Sequence, residues 1–214
     1  YKDEWYSEEQ HGFASAEAYN TAKNNMLKSV YDNGGFWIGR YEAGDATATA
    51  SNTTRTSSTG TTNSVVIKAD QIPYNWVTCK EAQTLSKSLA TGGKTSSLMF
   101  GIQWDLICKF LEVKTSLITA DIKTDSTSWG NYSNATINLT SGKFNTDPGS
   151  LSSTWIEVTI GTKNGIMLLT TGASDDTNKM NIYDLAGNEF EWTLEQKTSN
   201  NSYPCATRGG SYYC

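Results

Sequence analysis

The stretch Asp184-Leu-Ala-Gly-Asn-Glu-Phe-Glu-Trp-Thr193 carries the most specific pattern in this sequence. Gly187 permits a turn, because glycine adopts backbone conformations that other residues avoid. Trp192 is expected to fill a core. Asn188 and Glu191 are expected to tie neighbouring loops together through hydrogen bonds. The residues of this stretch therefore indicate a structural role, in which the stretch forms a turn, packs in a core and connects loops.

Three further stretches stand around it in a fixed order: Gly35-Phe-Trp-Ile-Gly-Arg-Tyr-Glu42, Pro73-Tyr-Asn-Trp-Val-Thr-Cys-Lys-Glu-Ala82 and Arg208-Gly-Gly-Ser-Tyr212. Together the four stretches resemble the formylglycine-generating, sulfatase-modifying family, whose members have a C-type-lectin-like fold. The resemblance extends over residues 35–214. It implies a single α+β domain in which two or three helices pack on a small, twisted, mostly antiparallel sheet with extensive loops.

Domain boundaries follow from the same resemblance. Residues 1–34 are predicted to form a lead-in and first helix that belong to the same domain as residues 35–214. The family's closing segment, a strand with a Gly-Phe-Arg pattern, has no counterpart in the sequence. The domain is therefore expected to lack its C-terminal end.

Local patterns place the secondary structure independently of the resemblance. Apolar residues recur at helical spacing over residues 15–31 and 101–112, and Thr78 with Glu81 has the spacing of a helix capping box. Residues 43–64 hold almost no large apolar side chain and are predicted to form a surface loop. Strands are predicted at residues 36–41, 65–67 and 166–170.

Composition excludes two classes of partner. The net charge is -5 and no lysine or arginine cluster occurs, whereas a nucleic-acid-binding protein needs a clustered cationic face. The longest apolar runs, such as residues 165–169, are far shorter than the roughly 20 residues of a membrane span. Abundant serine, threonine and asparagine favour an extracellular location, on a bacterial surface or a phage virion.

The cysteines and the histidine restrict the chemistry. The four cysteines form no C-x-x-C pair, which argues against a structural zinc site. A single histidine, His11, allows no imidazole cluster, and it is expected to be solvated. Cys205 is left with three possible disulfide partners, and spacing does not choose among them. These partners are Cys79, Cys108 and Cys214.

The resemblance also bears on function. The sequence is similar to lectin-fold variable proteins that diversity-generating retroelements diversify in phages and gut bacteria, in which the segment after Arg-Gly-Gly-Ser-Tyr carries the binding surface. This similarity implies a non-catalytic ligand- or receptor-binding domain that displays Tyr212 and Tyr213. Trp129 and Tyr132 are expected to flank that surface. The expected partner is a protein or glycan receptor on a cell surface.

Two alternative functions and one metal site remain open. Enzymatic members of the family bind copper through two cysteines after Gly-Gly-Ser, and Cys214 stands at the first of those positions. One thiolate alone is a poor copper site, so a copper-dependent oxidase acting on a thiol substrate is the alternative. The second alternative is that the domain is a structural module of a larger phage or surface protein. The resemblance further implies Asn188 and Glu191 as oxygen ligands of a structural calcium.

Overall fold

The computed structural model describes residues 1–48, 64–148, 154–163, 165–198 and 204–214. The chain divides into two compact units, each assembled from three separate stretches of sequence. The first unit holds residues 1–38, 78–107 and 192–208, and the second holds residues 39–77, 108–191 and 209–214. Each unit is therefore stabilised by contacts between stretches that lie far apart in sequence.

Five α-helices and ten short strands lie in these described ranges. The helices are α1 (Glu8–His11), α2 (Ala16–Asn33), α3 (Cys79–Ser88), α4 (Gly101–Lys114) and α5 (Thr119–Lys123). The strands are β1 (Gly44–Asp45), β2 (Val65–Val66), β3 (Ile72–Pro73), β4 (Ile137–Leu139), β5 (Lys143–Asn145), β6 (Ile156–Glu157), β7 (Gly161–Lys163), β8 (Leu168–Leu169), β9 (Glu191–Gln196) and β10 (Cys205–Arg208). They form four small sheets, ordered β2-β1-β3, β4-β7, β6-β5-β8 and β10-β9.

The α+β class is confirmed at this level. The pairings of β1 with β2 and β3, of β4 with β7, and of β5 with β6 and β8 are all antiparallel. The strands belong to several small sheets rather than to the one sheet that was predicted. Among the described residues, no helix has both the length and the apolar character needed to cross a membrane.

The three predicted helices are confirmed, and their caps explain where they begin. Ser15 accepts a hydrogen bond from the backbone N–H of Ala18, and Gly34 ends α2 with a φ of 73°. Thr78 and Glu81 form the predicted capping box at the start of α3. Each such cap contributes about 1 kcal/mol to helix stability. The short helices α1 and α5 were not predicted.

The predicted strand at residues 36–41 is wrong. These residues pair with no strand in the described part of the chain, and the side chain of Trp37 is fully exposed. A strand is stabilised by the side chains that it buries, and Trp37 buries nothing. The other two strand predictions are confirmed in shorter form, as β2 and β8. Most of the predicted loop at 43–64 lies outside the described residues.

The core of the first unit is aromatic. Tyr19 of α2 is completely buried and meets Phe13 and Phe100 edge to face, with 5.4 Å between ring centroids in each case. Its hydroxyl donates to the carbonyl of Leu194 at 2.5 Å. Burial raises the pKa of Tyr19, so this hydroxyl keeps its proton and its hydrogen bond.

The expectation for His11 is wrong, because its side chain is completely buried. Its Nδ1 accepts from the backbone N–H of Tyr6 at 3.1 Å, and its Nε2 lies 3.4 Å from the carbonyl oxygen of Glu195. Both ring nitrogens thus satisfy backbone groups of the first unit. One of these partners, Tyr6, is local, whereas Glu195 lies 184 residues away in sequence, so the burial was not predictable from the residues around His11.

Candidate functional site

Asn188 lies in the second unit, and its side chain is completely buried. Its Oδ1 accepts from the Nδ2 of Asn131 at 2.9 Å and from the backbone N–H of Leu169 at 3.0 Å. Its Nδ2 donates to Glu42 at 2.6 Å and to the carbonyl of Leu169 at 3.3 Å. The amide therefore makes all four hydrogen bonds that it can make, and it ties together four separate stretches of the unit.

The backbone around Asn188 holds the C-terminal residues of the chain in place. The carbonyl of Asn188 accepts from the N–H of Tyr212 at 2.8 Å, and the N–H of Gly187 donates to the carbonyl of Gly209 at 2.9 Å. The N–H of Asn188 donates to the carbonyl of Asn131 at 2.9 Å. Residues 184–191 therefore position the segment that runs from Gly209 to Tyr213.

Two glycines let this segment pass close to its support. Gly209 and Gly210 have φ values of 80° and 83°, in the left-handed region. A Cβ on Gly209 would overlap the carboxylate of Glu191, and a Cβ on Gly210 would lie 2.6 Å from the ring of Tyr132. The segment therefore requires both glycines where it crosses Glu191 and Tyr132.

Four acidic side chains lie in this part of the second unit. Asp184 accepts from the N–H of Gly172 at 2.7 Å and from the hydroxyl of Thr177 at 2.8 Å, and burial raises its pKa to about 6. Burial also raises the pKa of Glu189 to about 8. Burial, followed by the charge of Asp184, holds the pKa of Glu42 well above its usual range.

Glu191 differs from the other three acids. Both of its carboxylate oxygens are buried, and neither has a hydrogen-bond partner among the described residues. Burial, followed by the charge of Glu42, raises its pKa well above the usual range. The hydrogen bonds expected of Glu191 as a tie between loops are therefore not made.

Trp129 and Tyr132 lie beneath the surface and not at it. Trp129 is 4% exposed and donates from its indole nitrogen to the carbonyl of Asp121 at 3.0 Å. Tyr132 is 9% exposed and donates to the carbonyl of Gly209 at 2.6 Å. Both rings are therefore buried, and the expectation that they flank the binding surface stays a prediction. Tyr132 supports the segment that displays Tyr212 and Tyr213.

Three aromatic side chains lie together at this site, Phe190, Tyr212 and Tyr213, and we call them the aromatic patch. Tyr213 is 55% exposed and Phe190 is 39% exposed. Their ring centroids are 6.3 Å apart, and those of Tyr212 and Tyr213 are 5.2 Å apart, both edge to face. Tyr212 is half-buried, and it packs on a core cluster of this unit that is formed by Ile72, Trp155 and Leu168.

Phe190 was missed by the sequence analysis, although a signal for it existed. Glu189 and Glu191 flank Phe190, and the raised pKa values of both carboxyls reflect their burial. Successive side chains of an extended segment point to opposite sides, so Phe190 faces outward when its two neighbours face inward. The sequence analysis assigned Glu191 to a tie between loops and made no prediction for Phe190.

The pair of residues predicted to bind calcium does not offer two free ligands. Both lone-pair positions of the Asn188 oxygen are taken by the hydrogen bonds from Asn131 and Leu169. Glu191 alone presents unpartnered oxygens. Within the described ranges, no group of three or more histidine, cysteine, aspartate or glutamate side chains is arranged to hold a metal ion.

No protein-family model, curated protein or solved structure matches the chain. The family resemblance therefore stays a prediction, and the functional argument rests on the geometry of the site. That geometry combines the buried, fully hydrogen-bonded side chain of Asn188 with a neighbouring group of aromatic rings, of which Phe190 and Tyr213 are exposed.

Proposed function

We propose that this chain is a non-catalytic receptor-binding domain of a phage or bacterial surface protein, and that the aromatic patch is its contact surface. The observation that carries the proposal is the exposure of Tyr213 and Phe190 in mutual contact. Contiguous exposed aromatic rings are unusual on a protein that needs only to remain soluble. Tyrosine and phenylalanine are enriched at the cores of protein interfaces.

The contacts that hold the aromatic patch in place favour a role for it in binding. The N–H of Tyr212 is held by the carbonyl of Asn188, and Ser211 is completely buried. A segment that is already ordered loses little conformational entropy when a partner binds. Rigid tyrosine side chains on such a support are the means by which antibody-like proteins obtain affinity.

The chemistry of the patch favours a protein receptor over a glycan. Its rings meet edge to face, at interplanar angles of 82° and 73°, so they form no single flat platform on which a sugar ring could lie. Phe190 also contributes no polar atom for a sugar hydroxyl. Edge-to-face rings that carry two tyrosine hydroxyls suit a largely apolar pocket on another protein.

Replacing Tyr213 by alanine is expected to weaken receptor binding about 10- to 100-fold, the loss typical of an aromatic hot spot. The measurement is binding of the wild-type chain and the variant to a panel of purified bacterial surface proteins and to a glycan array. Tyr31→Ala is the matched control, because Tyr31 is an exposed tyrosine on α2. It is expected to bind as the wild type does.

Three outcomes of this measurement would count against the proposal. Equal binding by Tyr213→Ala and wild type would remove the patch from the interface. Binding to glycans alone would replace the protein receptor with a sugar. Copper-dependent oxygen consumption with a thiol substrate would favour the oxidase instead.

Calcium is retained as a proposal for Glu191 alone. Its two buried oxygens belong to the hard donor type that calcium prefers. A bound cation would also offset the cost of ionising this carboxyl at neutral pH, because opposite charge lowers the pKa of a buried acid. The remaining ligands would have to be oxygens other than that of Asn188.

Glu191→Gln is expected to raise the melting temperature by about 2–4 °C at pH 8 in the presence of a chelator, and to leave it nearly unchanged at pH 5. The folded pKa values of Asp184, Glu189 and Glu191 lie above their unfolded values. The stability that these three carboxyls contribute is therefore fully present below their unfolded pKa values and is lost as the pH rises through their folded pKa values. Wild-type stability thus falls between pH 5 and 8. The variant removes one of these groups.

Scanning calorimetry at pH 5 and pH 8 makes this comparison, with the exposed Glu157 replaced by glutamine as the control. A wild-type melting temperature that rises with calcium at pH 8, with no rise in Glu191→Gln, assigns the ion to Glu191. No calcium effect on the wild type removes calcium from the proposal. A lower melting temperature for Glu191→Gln at pH 8 in chelator would contradict the raised pKa.

A further inference from the structure

Two of the four cysteines meet inside the first unit. Cys79 is the first residue of α3 and Cys205 the first residue of β10, and both side chains are buried, at 3% and 4% exposure. The two thiols lie close enough for each to shift the pKa of the other. Two neighbouring thiols of this kind need only a local movement to form a covalent bond.

The surrounding backbone holds this arrangement independently. The sulfur of Cys79 lies 3.7 Å from the carbonyl oxygen of Thr193 in β9, and β9 is the strand that pairs with β10. The hydroxyl of Thr193 donates in turn to the carbonyl of Ala206, the residue after Cys205. The start of α3 is thus fixed against the same pair of strands that carries Cys205.

The remaining neighbours of Cys205 are polar. Its thiol donates to the carbonyl oxygen of Gln10 at 3.3 Å, and the buried ring of His11 lies beside it. The neighbouring thiol of Cys79, together with His11, lowers the pKa of the Cys205 thiol to about 6. The proximity of Cys205, together with burial, raises the pKa of Cys79. In the folded protein Cys205 is therefore the more readily ionised thiol of the pair.

We propose that Cys79 and Cys205 form an intramolecular disulfide when the protein folds in an oxidising environment. The bridge would fasten the start of α3 to β10 inside the first unit. Of the three partners that spacing alone leaves open for Cys205, the structure thus selects one. The proposal does not depend on the receptor-binding function.

Glutathione disulfide is a sufficient oxidant for the reaction. The thiolate of one of the two cysteines attacks one sulfur of glutathione disulfide, which forms a mixed disulfide and releases one glutathione thiolate. The other cysteine then loses its proton and attacks the protein sulfur of the mixed disulfide, which releases the second glutathione. Two cysteine thiols are oxidised by two electrons, and one glutathione disulfide is reduced to two glutathione thiols. The two protons leave with the glutathione.

Burial decides when this reaction takes place. Neither sulfur is accessible to a bulky oxidant in the folded protein, so exchange occurs while the chain folds. For the same reason the finished bridge is protected from external thiols. Cys214, which is exposed, is the cysteine expected to react first with glutathione disulfide in the folded, reduced protein.

The test is to refold the wild-type chain in a mixture of reduced and oxidised glutathione, block free thiols with iodoacetamide under denaturing conditions, and map the cross-linked peptides by mass spectrometry. The expected product joins Cys79 to Cys205 and leaves Cys108 alkylated. Its melting temperature is expected to exceed that of the reduced protein by about 10 °C, the shift for a bridge that closes a loop of roughly 100 residues or more. Because the map uses the wild-type chain, it does not depend on the folding of a variant.

Matched variants separate this bridge from the other pairings. Cys79→Ser and Cys205→Ser are each expected to lose the redox-dependent shift in melting temperature, whereas Cys108→Ser keeps it. The proposal is overturned if Cys79 and Cys205 are both alkylated after oxidative refolding. A bridge from Cys205 to Cys108 or to Cys214 would overturn it equally.

Discussion

Gly187→Ala is expected to lower the free energy of unfolding by more than about 4 kcal/mol, a loss reserved for a few severe mechanisms. A Cβ at this position would overlap the carbonyl group of Asn131 and lie 2.7 Å from its backbone nitrogen. The obstacle is backbone, which cannot rotate away as a side chain can. The hydrogen bonds from Gly187 to Gly209 and from Asn188 to Asn131 would have to break to make room.

Gly34→Ala is the matched control for this variant. Gly34 has the same φ of 73° as Gly187, but nothing lies within 4 Å of its Cβ position. The free energy of unfolding of Gly34→Ala is expected to fall only by the cost of placing alanine in a left-handed backbone conformation, about 1–2 kcal/mol. Urea unfolding of the two variants measures the difference. Equal losses would show that backbone conformation alone accounts for Gly187 and that its close approach to Asn131 does not matter.

Asn188→Ala is expected to lower the free energy of unfolding by about 3–5 kcal/mol, because it leaves several buried polar groups without partners. The side chain of Asn131, the carboxyl of Glu42 and both backbone groups of Leu169 each lose one hydrogen bond. A variant that remains folded is also expected to display Tyr212 less rigidly, since its N–H bonds to the carbonyl of residue 188.

Asn181→Ala separates this effect from backbone strain. Asn181 also has a left-handed backbone, with φ of 64° against 60° for Asn188, yet it is exposed. Alanine there is expected to cost about 1 kcal/mol. Chemical denaturation of both variants makes the comparison. A loss for Asn188→Ala no greater than that for Asn181→Ala would contradict the role of Asn188 as the tie of the second unit.

The parts of the fold that were predicted correctly depend on short-range signals. The caps at Ser15 and at Thr78 act within three or four residues, and the apolar spacing of α4 lies within one helix. The strand predicted at residues 36–41 failed for the opposite reason. A strand depends on a partner elsewhere in the chain, and a short apolar run does not reveal whether such a partner exists.

The candidate site was predicted in part. Gly187 and Asn188 were assigned as a turn and a tie between loops, and the structure confirms both. The partners of Asn188 were not predictable, since Asn131 and Glu42 lie 57 and 146 residues away in sequence. Tyr132 was expected to flank the binding surface, and the sequence did not reveal that its ring is buried, because an aromatic residue in a polar stretch has the same pattern whether it is exposed or turned inward.

The central claim is that the aromatic patch, carried by residues 184–191 and 209–213, is the surface that contacts a receptor. Amide hydrogen exchange of the chain, free and saturated with a protein receptor identified in the binding panel, tests it most directly. We predict slower exchange on binding at residues 188–191 and 209–213, with exchange in α2 unchanged. Protection confined to α2 or to other parts of the first unit, with none at these two segments, would contradict the claim.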